Sequence, residues 1–258
     1  MVLKFLVYCQ LFVSLLAYDL SRFPAPFQTP KVNPVFLSRY NLNQNILIPM
    51  VLTCPNNQDW GLTFDDGPSM ATIPLLDYFK SQNIKITFFV VGSQVYQYPE
   101  ILIRAYSDGH QIGLHTWSHT SLTSLDTESI VSELEWTSEL IQELIGVQPR
   151  FYRPPYGDID DRVRSITSAM GLTAVIWNYD TVDYVLNSNP YAYPEGQIEM
   201  NVQQTAQDWR LKNNGIISLQ HDIGSVSASK GPGVVQRILS SGMNIKRVSD
   251  CIGQLAYK

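Results

Sequence analysis

Two adjacent carboxylates, Asp65 and Asp66, are the first residues of this chain whose placement suggests chemistry. They follow a short apolar run that predicts a buried strand, and they precede Gly67 and Pro68, which indicate a turn. Charged groups are rarely buried unless they are paired or bound to a metal. At the mouth of a strand, one carboxylate can bind a metal ion while the other serves as a general base. The alternative is a polar Asp-Asp-Gly turn, and the residues downstream decide between the two.

His115 and His119 lie four residues apart after another predicted strand. At this spacing both imidazoles can face one point, on a helical turn or in a tight loop. Two histidines with one carboxylate form an open catalytic set for a zinc-like metal, with room for water. The chain has four histidines, and two of them fall in this pair. A solvated turn that happens to hold two histidines is the alternative.

Polar residues also end three further predicted strands. Arg153 precedes two prolines that fix the backbone, and its guanidinium can hold a carboxylate through paired hydrogen bonds. His221 ends an apolar strand and is a candidate general acid, whose pKa either Asp180 or Asp183 could raise. The alternatives are a rigid turn with a surface arginine, a structural histidine and a surface loop.

Strands and helices alternate along the chain from about residue 51. Apolar and β-branched runs predict strands at 60–62, 86–91, 111–114, 150–153, 173–177 and 216–219. Capping residues and helical spacing predict helices between residues 99 and 109, 126 and 146, 160 and 170, 202 and 211, and 232 and 239. About seven βα units predict one α/β domain with a parallel sheet, open or closed into a barrel. In both cases polar residues at the carboxyl ends of strands build the active site. The stretch 178–197, rich in Tyr, Asn and Pro, is predicted to be a long loop and a substrate wall.

Composition and the start of the chain indicate a secreted globular protein. The 258 residues are 45% apolar and 16% charged, which excludes a disordered chain. The net charge is −5 and no basic patch occurs, which argues against a nucleic-acid partner. Residues 1–17 combine Lys4 with an apolar run too short to span a bilayer comfortably, which is typical of a secretory signal, with a membrane-anchoring N-terminus as the alternative. Residues 18–50 contain prolines without periodicity and are predicted to be an extended segment on the domain surface.

Two cysteines lie outside the predicted signal, Cys54 before the first strand and Cys251 near the end of the chain. In a secreted chain such a pair predicts a disulfide, which here would tie the two ends of the domain together. Closing so long a loop stabilises a fold by roughly 5 kcal/mol at most. Two unpaired buried thiols are the alternative.

The five strand-end motifs, in this order, resemble those of the polysaccharide deacetylases of carbohydrate esterase family four, and most closely the fungal chitin deacetylases. The motifs are Thr63–Gly67, His115–His119, Arg153–Gly157, Asp180–Tyr184 and Leu219–Asp222. The resemblance covers about residues 54–251. It implies a distorted (β/α) barrel of seven or eight parallel strands, as a single catalytic domain that we place at residues 51–254.

The resemblance also implies chemical roles for the matching residues. Asp65 would be the general base, oriented by Arg153. His221 would be the general acid, tuned by Asp183. The metal, usually Zn²⁺ but also another divalent ion such as Co²⁺, would be bound by Asp66, His115 and His119.

Four further residues are predicted to contact the substrate. By resemblance, the Tyr156 backbone N–H would help to stabilise the oxyanion, and Leu219 would line the pocket for the acetyl methyl group. Trp117 and Tyr184 are interpreted as exposed aromatics that stack on sugar rings, with core packing as the alternative for Trp117. The family often has tryptophan at the position of Tyr184, so this chain departs from the pattern on the acid side of the site.

The function implied by the resemblance is metal-dependent removal of N-acetyl groups from chitin or its oligomers. The protein would act as a monomer outside the cell or in the cell wall, with no membrane span after signal removal. The alternatives are an O-acetyl xylan esterase or a peptidoglycan deacetylase on the same fold, and a catalytically weak sugar-binding homologue.

Overall fold

The computed structural model describes residues 18–42, 46–209 and 211–258. The predicted secretory signal, residues 1–17, lies outside the described residues. Among the helices that are described, none combines the length and the apolar character needed to cross a membrane.

A sheet of eight parallel strands forms the centre of the domain. The strands are β1 Asp59–Asp65, β2 Thr87–Val90, β3 Gln111–Leu114, β4 Phe151–Tyr152, β5 Thr173–Ala174, β6 Tyr179–Asp180, β7 Ile216–Leu219 and β8 Asn244–Lys246. Their spatial order is β5-β4-β3-β2-β1-β7-β6, and β8 pairs with the first residues of β1. The sheet curves into a half-barrel, which confirms the prediction of a single α/β domain with a barrel of parallel strands.

The central strands are buried on both faces, as parallel strands covered by helices must be. Every residue of β1, β2, β3 and β7 is buried. The register sets the carboxyl end of β1 beside that of β2, with Asp65 opposite Phe89, and an isolated bridge pairs Asp65 with His221. The sheet therefore brings the ends of β1, β2 and β7 together at one edge.

Helices cover the outside of the sheet. They are α1 Pro34–Ser38, α2 Thr72–Ser81, α3 Gly92–Gln97, α4 Pro99–Ser107, α5 Thr127–Ile145, α6 Asp161–Ala169, α7 Val185–Ser188, α8 Gln197–Trp209, α9 Ser225–Ala228, α10 Gly231–Ser240 and α11 Val248–Ile252. The longest, α5, begins after Asp126, whose side chain accepts a hydrogen bond from the Ser129 N–H, and it ends at Gly146 in the left-handed conformation. Both ends agree with the capping prediction.

Several elements differ from the sequence prediction. The stretch 178–197 is not one long loop, because it contains β6 and α7. Helix α2 was missed because its first turn has no side-chain cap and contains a proline. Strand β8 was missed because its residues are exposed or half-buried and show no apolar run. Helix α8 begins at Gln197, five residues earlier than predicted, in a stretch whose first turn alternates polar and apolar residues and so lacks helical spacing.

Residues 22–40 of the predicted N-terminal segment 18–50 lie against α5. This segment was predicted to be extended, and it contains the short helix α1. Phe23 and Phe36 of this segment are buried and pack edge-on against Trp136 at centroid distances of 5.8 and 4.9 Å. The segment therefore adds apolar surface to the core of the domain.

A disulfide joins Cys54 to Cys251, as predicted, across a sequence separation of 197. Because such a cross-link restricts the unfolded chain, we expect the double variant Cys54→Ala/Cys251→Ala to lose about 2–5 kcal/mol in free energy of unfolding. Urea denaturation of the variant beside the parent protein measures this loss. A loss below about 1 kcal/mol would contradict the prediction.

Candidate active site

The carboxyl ends of β1 and β7 position the first acidic residues of the site. The Asp65 N–H donates to the Gln220 carbonyl oxygen at 2.8 Å, and the Asp222 N–H donates to the Asp65 carbonyl oxygen at 3.2 Å. These bonds fix Asp65 beside the segment that carries His221. Asp66 then takes a left-handed backbone, with φ 77°, and leaves the strand direction.

Asp66, His115 and His119 form a compact cluster. Oδ1 of Asp66 lies 3.3 Å from Nε2 of His115 and 3.2 Å from Nε2 of His119. Each residue offers one ligand atom, and these atoms lie within 4.8 Å of one another. A carboxylate from the end of β1 and two imidazoles from the loop after β3 thus present the arrangement expected of a metal site.

The charges of this cluster favour a cation. Burial raises the pKa of Asp66, but the hydrogen bonds from His115 and His119 outweigh that effect and hold this pKa well below its usual range. Burial lowers the pKa of His115, but the carboxylates of Asp66 and Asp65 outweigh it and raise that pKa. Asp66 therefore stays an anion, which is the state that a metal ligand requires.

The donor set also fits a divalent metal such as zinc. Nδ1 of His115 lies 2.7 Å from the Arg153 carbonyl oxygen. A proton on Nδ1 satisfies that contact and leaves the lone pair of Nε2 for a metal. The side chains of Asp66 and His119 keep 23% and 27% of their surface exposed, so the cluster is open on one side for water or substrate.

The second carboxylate, Asp65, is held by a buried arginine. Nη1 of Arg153 donates to Oδ1 of Asp65 at 2.8 Å and to Oγ1 of Thr63 at 2.6 Å. Nε of Arg153 donates to the Val175 carbonyl oxygen at 3.2 Å. Oδ2 of Asp65 lies 3.9 Å from Nε2 of His115, so Asp65 stands beside the metal cluster without belonging to it.

His221 is paired with Asp183. Nδ1 of the ring lies 2.7 Å from Oδ1 of Asp183, and the His221 backbone N–H donates to Oδ2 at 2.9 Å. Burial lowers the pKa of His221, but the bond and charge of Asp183 outweigh it and raise this pKa to about 9. The sequence left Asp180 and Asp183 as alternative partners. The structure pairs Asp183 with the ring, while Asp180 accepts a hydrogen bond from the Val182 N–H at 2.7 Å.

Two exposed tyrosines flank the site. The Tyr156 ring meets the His119 ring edge-on at 4.8 Å, and the Tyr184 ring meets the His221 ring edge-on at 5.4 Å. Tyr156 takes a left-handed backbone in the turn after β4. Leu219, the fourth substrate candidate, is buried at the end of β7. These positions leave both tyrosine rings accessible to a ligand.

The position of Trp117 contradicts the prediction that its ring is exposed to the substrate. Trp117 is completely buried and packs parallel to Phe23 at a centroid distance of 6.3 Å. Its Nε1–H donates to the Ala25 carbonyl oxygen at 3.1 Å. The prediction that Trp117 stacks on sugar rings is therefore wrong, because the N-terminal segment covers this side chain.

Asp222 is a residue of the site to which the sequence analysis gave no role. Its buried carboxylate accepts hydrogen bonds from the Gly67 N–H at 3.0 Å and from Oγ1 of Thr72 at 2.6 Å. Burial raises its pKa to about 7. A Cβ on Gly67 would collide with the carboxylate of Asp222, so the turn after Asp66 requires glycine. The one signal in the sequence was an acidic residue directly after His221 at a strand end.

Comparison with known proteins agrees with this geometry. A family model described as polysaccharide deacetylase matches residues 53–175. The solved structure of the peptidoglycan deacetylase PdaC from Bacillus subtilis is 33% identical, with a TM-score of 0.60, and the match covers 76% of this chain and 91% of that chain. The chain belongs to the polysaccharide deacetylase family.

Fungal chitin deacetylases are among the similar members of the polysaccharide deacetylase family. Chitin deacetylase 1 of Cryptococcus neoformans is 42% identical over 216 residues, which are 79% of this chain and 46% of that protein. The structure of the chitin deacetylase from Colletotrichum lindemuthianum has a TM-score of 0.74 and 27% identity, and the match covers 82% of this chain and 97% of that chain. The chain spans about half the length of the curated relatives it matches first. The family-model match ends at residue 175 and therefore does not include Asp183 or His221. The evidence for their pairing is the contact between the two side chains in the structure.

Proposed function

We propose that this chain is a metal-dependent hydrolase that removes N-acetyl groups from chitin or its oligomers and releases acetate. One observation carries the proposal: Asp65 lies beside the cluster of Asp66, His115 and His119 and is oriented by Arg153 instead of joining that cluster. A metal site with a separate carboxylate is the arrangement that hydrolysis by an activated water requires. Similarity to fungal chitin deacetylases supports chitin as the substrate.

Asp66, His115 and His119 would hold the metal. When bound, a divalent ion such as Zn²⁺ would supply Lewis-acid polarisation of the acetamide carbonyl and would favour ionisation of the attacking water. The proton transfers would be carried out by two side chains beside that cluster, Asp65 and His221.

Asp65 takes the proton of the attacking water. Because Arg153 engages Oδ1 of Asp65, Oδ2 is the oxygen left to accept this proton, and Oδ2 is also the oxygen on the side of His115. The hydroxide adds to the carbonyl carbon, and the Tyr156 backbone N–H stabilises the negative charge that develops on the oxygen.

His221 completes the reaction as general acid. It donates a proton to the amide nitrogen as the carbon–nitrogen bond breaks, which leaves an amine on the sugar and acetate in solution. Asp183 keeps the ring protonated at neutral pH, because it raises the pKa of His221 against the effect of burial. Leu219 would contact the acetyl methyl group, and the exposed rings of Tyr156 and Tyr184 would pack against the sugar.

Secretion and a role outside the cell or in the cell wall are part of the proposal, with the protein acting as a monomer on a carbohydrate and not on nucleic acid. The disulfide between Cys54 and Cys251 supports an oxidising compartment. The pattern of residues 1–17 supports a secretory signal.

Acetate release from chitin oligomers, acetylated xylan and peptidoglycan tests the proposal. We expect release from chitin oligomers with added Zn²⁺, its loss after treatment with a strong chelator, and its return when Zn²⁺ is restored. Activity that survives both the chelator and Asp66→Ala would exclude this mechanism. A preference for xylan would identify an esterase, and a preference for peptidoglycan would identify a peptidoglycan deacetylase. Oligosaccharide binding without acetate release under any divalent metal would identify a sugar-binding protein.

A further inference from the structure

The loop that carries the two histidines has a strained backbone. We call residues 115–119 the ligand loop. Thr116 and His119 take left-handed conformations, with φ 65° and 63°. Such a conformation is unfavourable for a β-branched residue such as threonine, and it persists only where the surroundings enforce it. The ligand loop therefore needs an external anchor if His119 is to stay aimed at Asp66.

Glu133, on α5, contacts the middle of this loop. One carboxylate oxygen, Oε2, accepts the Trp117 N–H at 2.7 Å and the Ser118 N–H at 2.8 Å. The other, Oε1, accepts the Ser118 hydroxyl at 2.5 Å. Three donors that follow one another along the loop are thus satisfied by a single side chain.

The side chain that anchors the loop is a buried acid, and burying a carboxylate costs free energy unless hydrogen bonds compensate it. Glu133 has no exposed surface. Burial raises the pKa of Glu133, and the hydrogen bonds from Ser118 and Trp117 oppose that rise. Removing the carboxylate would leave the N–H groups of Trp117 and Ser118 without an acceptor in the interior, whereas the Ser118 hydroxyl would keep its contact with Oγ1 of Thr120 at 2.8 Å.

The other contacts of the loop act on different atoms. Oγ of Ser93 donates to the Trp117 carbonyl oxygen at 2.6 Å, and the indole of Trp117 binds the N-terminal segment. Oγ1 of Thr116 accepts the His119 N–H at 3.1 Å within the loop. None of these three contacts involves the backbone N–H groups of Trp117 and Ser118, which are the groups that Glu133 binds.

We propose that Glu133 is a positioning residue for the metal site. Its carboxylate holds the backbone of the ligand loop so that Nε2 of His119 meets Oδ1 of Asp66, and it contacts neither metal nor substrate. This inference rests on the metal site of the proposed function, and it assigns part of that site's affinity to a residue outside the five motifs.

Metal affinity tests the inference without relying on the reaction. We compare Zn²⁺ binding of the metal-free protein with that of Glu133→Gln and Glu133→Leu, by competition with a chromophoric chelator. Glutamine keeps an oxygen for the two N–H groups, whereas leucine removes every acceptor. We expect affinity to fall about 10-fold for glutamine and about 100-fold for leucine, since outer partners of metal ligands contribute to this extent. The visible spectrum of the Co²⁺-loaded protein should change in the same order.

Glu135→Gln is the matched control. Glu135 is buried two residues further along α5, and it accepts hydrogen bonds from the Tyr40 hydroxyl and from Arg39 at 2.9 Å instead of from the ligand loop. We expect this variant to lose thermal stability but to keep its Zn²⁺ affinity within about 3-fold, because Glu135 accepts hydrogen bonds from Arg39 and Tyr40 and from no N–H group of the ligand loop.

The possible outcomes distinguish a failure of the role proposed for Glu133 from a failure of the metal site itself. Unchanged Zn²⁺ affinity in a folded Glu133→Gln variant would overturn the role of Glu133 and leave the proposed function standing. Equal losses in Glu133→Gln and Glu135→Gln would also overturn it, because the effect would then be general destabilisation. If the parent protein itself binds no Zn²⁺, the metal site fails and both proposals fall. Glu133→Gln decides the matter if Glu133→Leu does not fold.

Discussion

Replacing Asp65 with asparagine is expected to lower kcat for acetate release by about 10²–10⁴-fold, the range that a general base contributes. The amide of asparagine cannot take a proton from water near neutral pH. Asparagine has the same shape and retains an oxygen that can accept the bond now made by Nη1 of Arg153 to Oδ1 at 2.8 Å. The loss should therefore fall on the reaction and not on the fold.

The matched control for this prediction is Asp66→Asn. Asp66 lies 3.2–3.3 Å from the two imidazoles, whereas Oδ2 of Asp65 lies 3.9 Å from His115. We expect Asp66→Asn to lose Zn²⁺ affinity and Asp65→Asn to keep it within a few-fold, measured by chelator competition. If Asp65→Asn kept more than about a tenth of the parent kcat, or bound Zn²⁺ as weakly as Asp66→Asn, the division of labour between the carboxylates would be wrong.

The sequence predicted the positions of the candidate site residues well where these residues lie at the carboxyl ends of buried strands. Asp65 and His221 end strands whose apolar runs are unmistakable, and parallel pairing forces such ends to one edge. The two histidines, four residues apart, were predicted to face one point, and their Nε2 atoms both approach Oδ1 of Asp66. These predictions succeeded because they depend on local spacing and on one rule of topology.

The sequence failed where tertiary contacts decide the outcome. Trp117 follows His115 by two residues and was assigned to the substrate, but an N-terminal segment with no regular pattern buries it. Strand β6 has two residues and depends on pairing with β7, so no periodicity could reveal it. The sequence does contain a signal for Glu133. This acid lies three residues after Ile130 and therefore on the apolar face of α5, where an acidic side chain is rare unless it has a partner.

The acid side of the site gives the second large prediction, which concerns pH. His221 must be protonated to donate to the leaving nitrogen, so activity persists below the pKa of His221 and is lost as pH rises through it. Burial lowers this pKa, but Asp183 outweighs burial and raises it to about 9. The parent enzyme should therefore stay active to about pH 9 on its alkaline side.

Asp183→Asn removes the negative charge but keeps an oxygen for the His221 N–H, which Oδ2 now accepts at 2.9 Å. Without that charge the pKa of His221 should fall, because burial, which lowers this pKa, is then opposed only by the charges of Asp66 and Asp65. The alkaline limb of kcat against pH should move from about 9 to lower pH by about two units, which corresponds to a drop of about 10-fold in the protonated fraction at pH 8.

His221→Ala separates this effect from a loss of structure, because it should cost about 10²–10⁴-fold and abolish the alkaline limb altogether. A uniform loss of kcat in Asp183→Asn, with the limb unmoved, would show that Asp183 only positions the ring. A limb that persists in His221→Ala would assign the acid to another group. An alkaline limb that moves in Asp183→Asn and vanishes in His221→Ala can come only from the proton on His221. In that case the His221 ring carries the proton, and the Asp183 carboxylate sets the pKa of that ring.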